Sequence, residues 1–139
     1  MAEKDKALWN RVVALHAKVE AELTKVLRRE HGLGLSDYRA LSLLAEAEGG
    51  ELRMQGLSDL IGLEQSSVTR LVARLEDAGL TERCLCPNDR RGIYSVITAK
   101  GRERQRQAEP TYEATLRKAL DEGDPGLVAL LRGQAPALA

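Results

Sequence analysis

Aromatic side chains are scarce in this sequence of 139 residues, which contains no phenylalanine, one tryptophan and three tyrosines. Proteins that bind single-stranded nucleic acid stack the bases on aromatic rings, so this shortage argues against such a partner. Long apolar runs are also absent and the mean hydropathy is −0.32, which excludes a membrane span. The first six residues lack the basic start and apolar stretch of a secretory signal, so we expect a cytoplasmic protein.

Residues that carry enzyme and metal chemistry are few as well. The sequence has two histidines and two cysteines. It contains no phosphate-binding glycine loop that ends in Gly-Lys-Ser/Thr, no His-Glu-x-x-His and no Gly-x-Ser-x-Gly. We therefore predict a protein without catalytic activity, bound metal or cofactor.

The two cysteines, Cys84 and Cys86, occupy alternate positions of a predicted strand. Their Cα atoms would lie roughly 6.5 to 7 Å apart, at the limit of what a disulfide spans. Zinc favours four ligands, and His16 and His31 belong to a different predicted element. We interpret both cysteines as ordinary strand residues, with redox or metal sensing as the open alternative.

The formal charge is balanced, with 21 Lys and Arg against 21 Asp and Glu and a pI of about 6.7, which alone does not favour nucleic-acid binding. The distribution is uneven, however. Residues 65–106 contain nine Lys or Arg and five Asp or Glu, an excess of four positive charges. Contacts with DNA phosphates require such a concentration, although a solvated helix would explain residues 100–106 about as well.

The first segment predicts a long amphipathic helix from about Asp5 to Glu30. Roughly 25 residues at 1.5 Å each make a helix about 38 Å long, which is longer than a small domain is wide. Part of this helix therefore needs a second subunit to pack on. Its apolar stripe consists of Leu8, Val12, Leu15, Val19, Leu23 and Val26.

The next segment predicts three further helices. Ser36 is the predicted N-cap of a second helix that ends at two glycines, and a short third helix follows at about 55–61. A glycine turn then precedes a fourth helix, from Glu64 to Ala78. Apolar residues at i, i+3, i+4 and i+7 form its inward face: Val68, Leu71, Val72 and Leu75.

After the fourth helix the apolar period changes from helical to extended. Two short runs, 80–86 and 93–98, flank a tip rich in turn residues, which predicts a β-hairpin. Thr98 is the predicted cap of a last long helix, bent near Pro110, and a short amphipathic turn follows. Two short helices followed at once by a hairpin predict a mainly α fold with a small β-hairpin wing, a winged helix-turn-helix.

In such folds the second short helix enters the major groove of duplex DNA. The outward face of the predicted fourth helix carries small polar and basic groups. Arg70 or Arg74 offers bidentate hydrogen bonds to guanine. Ser66, Ser67 and Thr69, near the helix N-terminus, are suited to phosphate. A merely solvated polar face would explain this helix alone about as well.

The hairpin tip favours the DNA-binding interpretation. Arg90 and Arg91 lie on a predicted projecting loop, and a narrow A/T-rich minor groove attracts arginine. A winged helix that binds only other proteins does not require this pairing of a basic helix face with wing arginines. It remains an alternative.

A resemblance to a known family rests on three runs. The run DRRGIYSVITAKG (89–101) resembles the wing signature of the multiple antibiotic resistance regulator (MarR) family of bacterial proteins. SSVTRLV (66–72) with LEDAGL (75–80) resembles the family's recognition helix, and LSDYRAL (35–41) resembles the start of its second helix. The resemblance covers nearly the whole chain.

The resemblance implies a homodimeric transcription regulator, most often a repressor, that binds a pseudo-palindromic operator in double-stranded DNA. Residues 1–34 and 102–139 would form the intertwined dimerisation helices. Residues 35–101 would form the winged helix-turn-helix lobe that binds DNA. A small-molecule effector that releases the DNA is a further implied partner, and no membrane is involved.

The resemblance also assigns roles to single residues. Arg91 would be the minor-groove arginine, Arg90 a neighbouring backbone contact, and Asp89 would orient the wing through an ion pair. The effector pocket is not marked by a transferable motif. Its candidate residues are Trp9, His16, Tyr38 and Arg39, for which core, dimer or solvated roles are the alternative.

The family also includes regulators that sense oxidants through thiols, which makes redox sensing by Cys84 and Cys86 an alternative function. In the peroxide-sensing members the reactive cysteine lies near the N-terminal helices, where this chain has none. That difference argues against the same mechanism here.

Overall fold

The computed structural model describes residues 2–85 and 92–134. Within these residues the chain forms six α-helices, one turn of 3-10 helix and three β-strands. The elements are α1 (Ala2–His31), α2 (Leu35–Glu46), the 3-10 turn (Glu48–Gly50), β1 (Glu51–Arg53), α3 (Met54–Ile61), α4 (Gln65–Asp77), β2 (Thr81–Leu85), β3 (Ile93–Ile97), α5 (Ala99–Asp121) and α6 (Pro125–Leu131). None of the described helices combines the length and apolar composition that a membrane crossing requires.

The chain divides into two compact units. The helical unit comprises residues 2–32 and 110–134. The winged-helix lobe comprises residues 33–109. Helix α5 contributes residues to both units and continues through Pro110 without interruption.

The helical unit is built on one buried face of α1. Leu15, Val19, Leu23 and Leu27 lie four residues apart and are all buried. The first three were predicted, but the assignment of Val26 to this stripe is wrong, because Val26 is only half-buried and Leu27 is fully buried in its place. At 3.6 residues per turn each step of four advances about 40° around the helix, so the buried stripe winds slowly around α1 and reaches Leu27 rather than Val26.

The turn between α5 and α6 is fastened to α1 by charged groups. Asp124 caps α6 by accepting a hydrogen bond from the Leu127 N–H at 3.1 Å. Its carboxylate also accepts two hydrogen bonds from Arg11, at 2.6 and 2.7 Å, which lower the pKa of Asp124 to about 2. Lys18 Nζ donates to the carbonyl of Glu122 at 3.0 Å. The short α6 is therefore held by its cap and by α1.

In the winged-helix lobe, helices α2, α3 and α4 pack on one another and against a three-stranded antiparallel sheet in the order β1-β3-β2. Strands β2 and β3 confirm the predicted hairpin, whereas β1 was not predicted. The hairpin tip, residues 86–91, lies outside the described residues. Leucines and valines dominate the buried helix positions of the lobe: Leu41, Leu44, Leu57, Val68, Leu71, Val72 and Leu75.

Of the two predicted helix N-caps, the structure confirms one and contradicts the other. Thr98 caps α5 as predicted, since its Oγ1 accepts the Gly101 N–H at 3.0 Å and donates to the Gly79 carbonyl at 2.7 Å. The assignment of Ser36 as the cap of α2 is wrong. Gly34 occupies that position with extended backbone and no side-chain cap, so the helix begins one residue before Ser36.

Candidate nucleic-acid interface

Helix α4 separates an apolar face from a polar one, as its sequence predicted. Val68, Leu71, Val72 and Leu75 are buried against the lobe. Every side chain assigned to DNA contact on α4 is exposed except Ser67, which is half-buried. The helix can therefore present Ser66, Thr69, Arg70 and Arg74 to a groove without disturbing the core.

Two of these polar side chains are tied to α4 itself. Thr69 Oγ1 donates to the carbonyl of Gln65 at 2.9 Å. Arg70 Nη2 donates to Ser67 Oγ at 3.4 Å, a long hydrogen bond. These short-range contacts orient the first turns of the helix, and they are weak enough for a base or phosphate to replace them.

Arg74 has a stronger partner outside its helix. Its Nη2 donates to Asp37 Oδ1 on α2 at 3.0 Å. The Asp37 side chain is only 19% exposed, whereas the Arg74 side chain is 59% exposed. The carboxylate therefore holds one nitrogen of the guanidinium while the rest of the Arg74 side chain still reaches solvent. Arg74 can read a base only by sharing or leaving this ion pair. Sequence reasoning assigned no role to Asp37, because the two residues are distant along the chain.

A cleft of about 360 Å³ lies between the first turns of α3 and α4 and the base of the wing. Arg83 on β2 lies at its rim, where its Nε donates to Glu76 Oε1 at 3.1 Å. Arg53 lies on the other side and donates through Nε to the Tyr94 hydroxyl at 3.0 Å. The residues that line the cleft are Arg53, Met54, Gln55, Gln65, Thr69, Arg83, Gly92 and Ile93.

Sequence reasoning counted Arg83 in the basic segment but gave neither Arg83 nor Arg53 a contact. The strand alternation could have placed Arg83, because it lies two residues after the buried Thr81 on the first hairpin strand and therefore shares its face. Arg53 lies on β1, the strand that the sequence did not predict, so its position depends on tertiary pairing.

The predicted wing contacts Arg90 and Arg91, the predicted wing-orienting Asp89, and Cys86 all lie outside the described residues. Cys84 lies on β2 and is exposed. Within residues 2–85 and 92–134, no three His, Cys, Asp or Glu side chains converge as metal ligands would.

The four candidate effector residues fall into two pairs. Trp9 and His16 lie on α1 in the helical unit, where Trp9 is 65% exposed and His16 Nε2 lies 3.5 Å from Glu20 Oε1. Tyr38 and Arg39 lie on α2 in the winged-helix lobe, where Tyr38 is 4% exposed and belongs to the core. None of the four lines the cleft beside α4.

A helix-turn-helix followed by a hairpin, with a basic and polar outer face on its second helix, defines a winged-helix DNA-binding lobe. Comparison with known proteins agrees. A sequence model of the MarR family matches residues 31–92. The transcriptional regulator MhqR of Bacillus subtilis is 31% identical over 101 residues, which cover 73% of this chain and 68% of MhqR.

Solved structures of the same family superpose closely. Sco3205 of Streptomyces coelicolor, a MarR-family regulator in complex with DNA, matches with a TM-score of 0.79 and 29% identity over 98% of this chain and 91% of its own. CouR of Rhodococcus jostii RHA1, bound to p-coumaroyl-CoA, matches with a TM-score of 0.73 and 28% identity over 88% and 84% of the two chains. The chain belongs to the MarR family of DNA-binding transcription regulators.

Proposed function

We propose that this chain is a homodimeric repressor that binds a pseudo-palindromic operator and is released from it by a small molecule. The observation that carries the proposal is the division of α4, whose apolar face is buried in the lobe while its serine, threonine and arginine face is exposed. The similarity to Sco3205, which was solved with DNA, supports DNA as the partner.

In the proposed complex α4 enters the major groove. Arg70 and Arg74 read guanine edges, while Ser66, Ser67 and Thr69 contact phosphate near the helix N-terminus. The wing enters the adjacent minor groove. There Arg91 is the inserted arginine, Arg90 contacts the backbone, and Asp89 orients the wing without touching DNA, because a carboxylate beside phosphate is repelled.

The dimer is proposed to form through residues 1–34 and 102–139. Exposed apolar residues of the helical unit support this assignment, because large apolar side chains that remain exposed in one chain are typical of a subunit interface. The exposed members are Leu8, Trp9 and Val13 on α1 and Leu130 and Leu131 on α6.

Dimerisation has a direct reporter, since Trp9 is the sole tryptophan. We expect sedimentation to give twice the protomer mass at micromolar concentration. The Trp9 emission maximum should then move to longer wavelength on dilution, as the indole returns to water. A monomer mass at all concentrations would contradict the proposed dimer.

Release by a small molecule is supported by the similarity to CouR, which was solved with p-coumaroyl-CoA. A ligand that binds the DNA-free form more tightly shifts the equilibrium away from the operator. The four candidate pocket residues stay predictions. A screen of aromatic acids and acyl-CoA esters against the protein on its operator tests this part, and a reproducible loss of DNA binding is the expected result.

Operator binding is tested by fluorescence anisotropy with promoter DNA and a scrambled duplex, across a salt series. We expect preferential binding to the promoter, with log affinity falling steeply against log salt. Arg91→Ala should weaken operator binding by about 1 to 3 kcal/mol, roughly five- to 150-fold. Arg106→Ala is the matched control, because Arg106 pairs with Glu103 on the exposed side of α5. Equal affinities for Arg91→Ala and the wild type would remove the wing from the mechanism.

A further inference from the structure

The cleft beside α4 occupies a place that a winged helix must use on DNA. With α4 in the major groove and the hairpin in the adjacent minor groove, one sugar-phosphate strand separates the two grooves. That strand has to pass between the helix and the hairpin. The cleft opens there, since its lining comes from the first turn of α4, from the start of α3 and from both hairpin strands.

The charge of the cleft suits a phosphate. Its described lining residues include two arginines and three uncharged polar side chains, and none of them is acidic. This is notable in a chain with equal numbers of acidic and basic residues. Neither α3 nor α4 has a side-chain N-cap, so their first backbone N–H groups add partial positive charge at the same end.

Both arginines are oriented through Nε by a neighbouring side chain. Glu76 accepts the Nε–H of Arg83 at 3.1 Å, and the Tyr94 hydroxyl accepts that of Arg53 at 3.0 Å. The Arg53 guanidinium also lies 5.6 Å from the centre of the Tyr94 ring. A planar guanidinium that neighbours already orient loses less side-chain freedom when it forms the charge-assisted hydrogen bonds that phosphate favours.

We propose that this cleft binds a backbone phosphate of DNA, with Arg83 and Arg53 as its two cationic ligands. The inference rests on the proposed function and adds a contact that is independent of the wing tip. Arg83 and Arg53 fix the register of the lobe on the duplex, whereas α4 reads sequence.

Salt dependence measures the contact. Each phosphate contact contributes about 0.9 to the slope of log affinity against log salt. Arg83→Gln should therefore lower this slope by at most about 0.9 for each copy of the cleft that is engaged, because Arg53 still faces the same phosphate. Between 50 and 200 mM salt the wild type should accordingly lose at most about 3.5-fold more affinity per cleft than the variant. Operator and scrambled DNA should be affected alike, because phosphate carries no sequence information.

Arg53→Gln is the second variant, since it leaves Glu76 paired with Arg83, and it should lower the slope in the same direction. Arg106→Gln is the matched control, because it removes the same charge from the lobe outside the cleft. Circular dichroism and thermal melting establish that each variant is folded. A slope for Arg83→Gln and Arg53→Gln equal to that of Arg106→Gln would overturn the proposal.

Neutral methylphosphonate links, placed one at a time along an operator duplex mapped by footprinting, locate the contact. The wild type should lose affinity when the neutral link replaces a phosphate between the two groove contacts, and Arg83→Gln should lose less affinity at that same link. Equal losses of affinity at every link in both proteins would overturn the proposed phosphate contact in the cleft while leaving operator binding intact. Wild-type binding without preference for the operator would instead remove the proposed function, and this inference with it.

Discussion

The contact between the start of α5 and the turn after α4 leaves no room for a side chain at Gly101. A Cβ at this position would lie 2.1 Å from the carbonyl oxygen of Leu80 and 2.8 Å from Cγ1 of Ile97. The Leu80 carbonyl also accepts the Thr98 N–H at 3.0 Å, and Thr98 caps α5 through the Gly101 N–H. Relief would require a backbone shift of about 1 Å, at the expense of these hydrogen bonds.

Gly101→Ala should therefore reduce the free energy of unfolding by about 3 kcal/mol, the upper end of overpacking penalties, because the obstructing atom is backbone and cannot rotate away. In urea, with a slope near 2 kcal/mol per molar, the midpoint should fall by about 1.5 M at fixed protomer concentration. Gly56→Ala is the opposing control. A Cβ there meets nothing within 4 Å in helix α3, so stability should rise by about 0.5 to 1 kcal/mol. A Gly101→Ala midpoint within about 0.25 M of the wild type would refute the packing argument.

Three further substitutions test the core, the charged fastening of α6 and the partner of the recognition helix. Leu75→Ala should cost about 2 to 5 kcal/mol in urea unfolding as a buried truncation, whereas Leu60→Ala, exposed on α3, should change stability by less than about 0.5 kcal/mol. The pKa of Asp124 falls from 3.8 to about 2 on folding, so its stabilising effect is complete above about pH 4 and is lost as the pH falls through 2. Asp124→Asn should lack this acid-dependent loss, and parallel acid-unfolding curves for the two proteins would contradict it. Asp37→Asn should tighten DNA binding by about 1.4- to fivefold, the value of a partly exposed ion pair with Arg74, and unchanged or weaker binding in anisotropy would count against that reasoning.

Local pattern was sufficient for most helices and for the hairpin. The buried face of α4 follows from its apolar spacing, because a helix of this length packed on one side can hide only that stripe. The cap of α5 at Thr98 also follows from local chemistry. By contrast, Ser36 has the side chain of a cap but lies one residue inside α2, since helix starts also depend on how the preceding chain packs.

Strand β1 could not be predicted from the local sequence pattern. Its three residues, Glu51–Arg53, have no periodicity to detect, and the strand exists because Leu52 pairs opposite Ser95 in β3. Such pairing depends on residues far along the chain, which single-sequence reasoning does not see. Because Arg53 takes its place in the cleft from this strand, the sequence could not assign it to the interface.

The same limit applies to the ion pairs around α4, and they alter how the interface works. Sequence reasoning treated Arg74 as an available base contact, but Asp37 already satisfies one of its nitrogens. A base that offers two well-placed acceptors can replace that carboxylate, whereas a mismatched base cannot repay the lost ion pair. In the proposed complex the pair would therefore lower affinity for all DNA, and would lower it most for the wrong sequence. A chain with no net charge would gain discrimination in this way, since its carboxylates would limit non-specific attraction where its arginines are exposed.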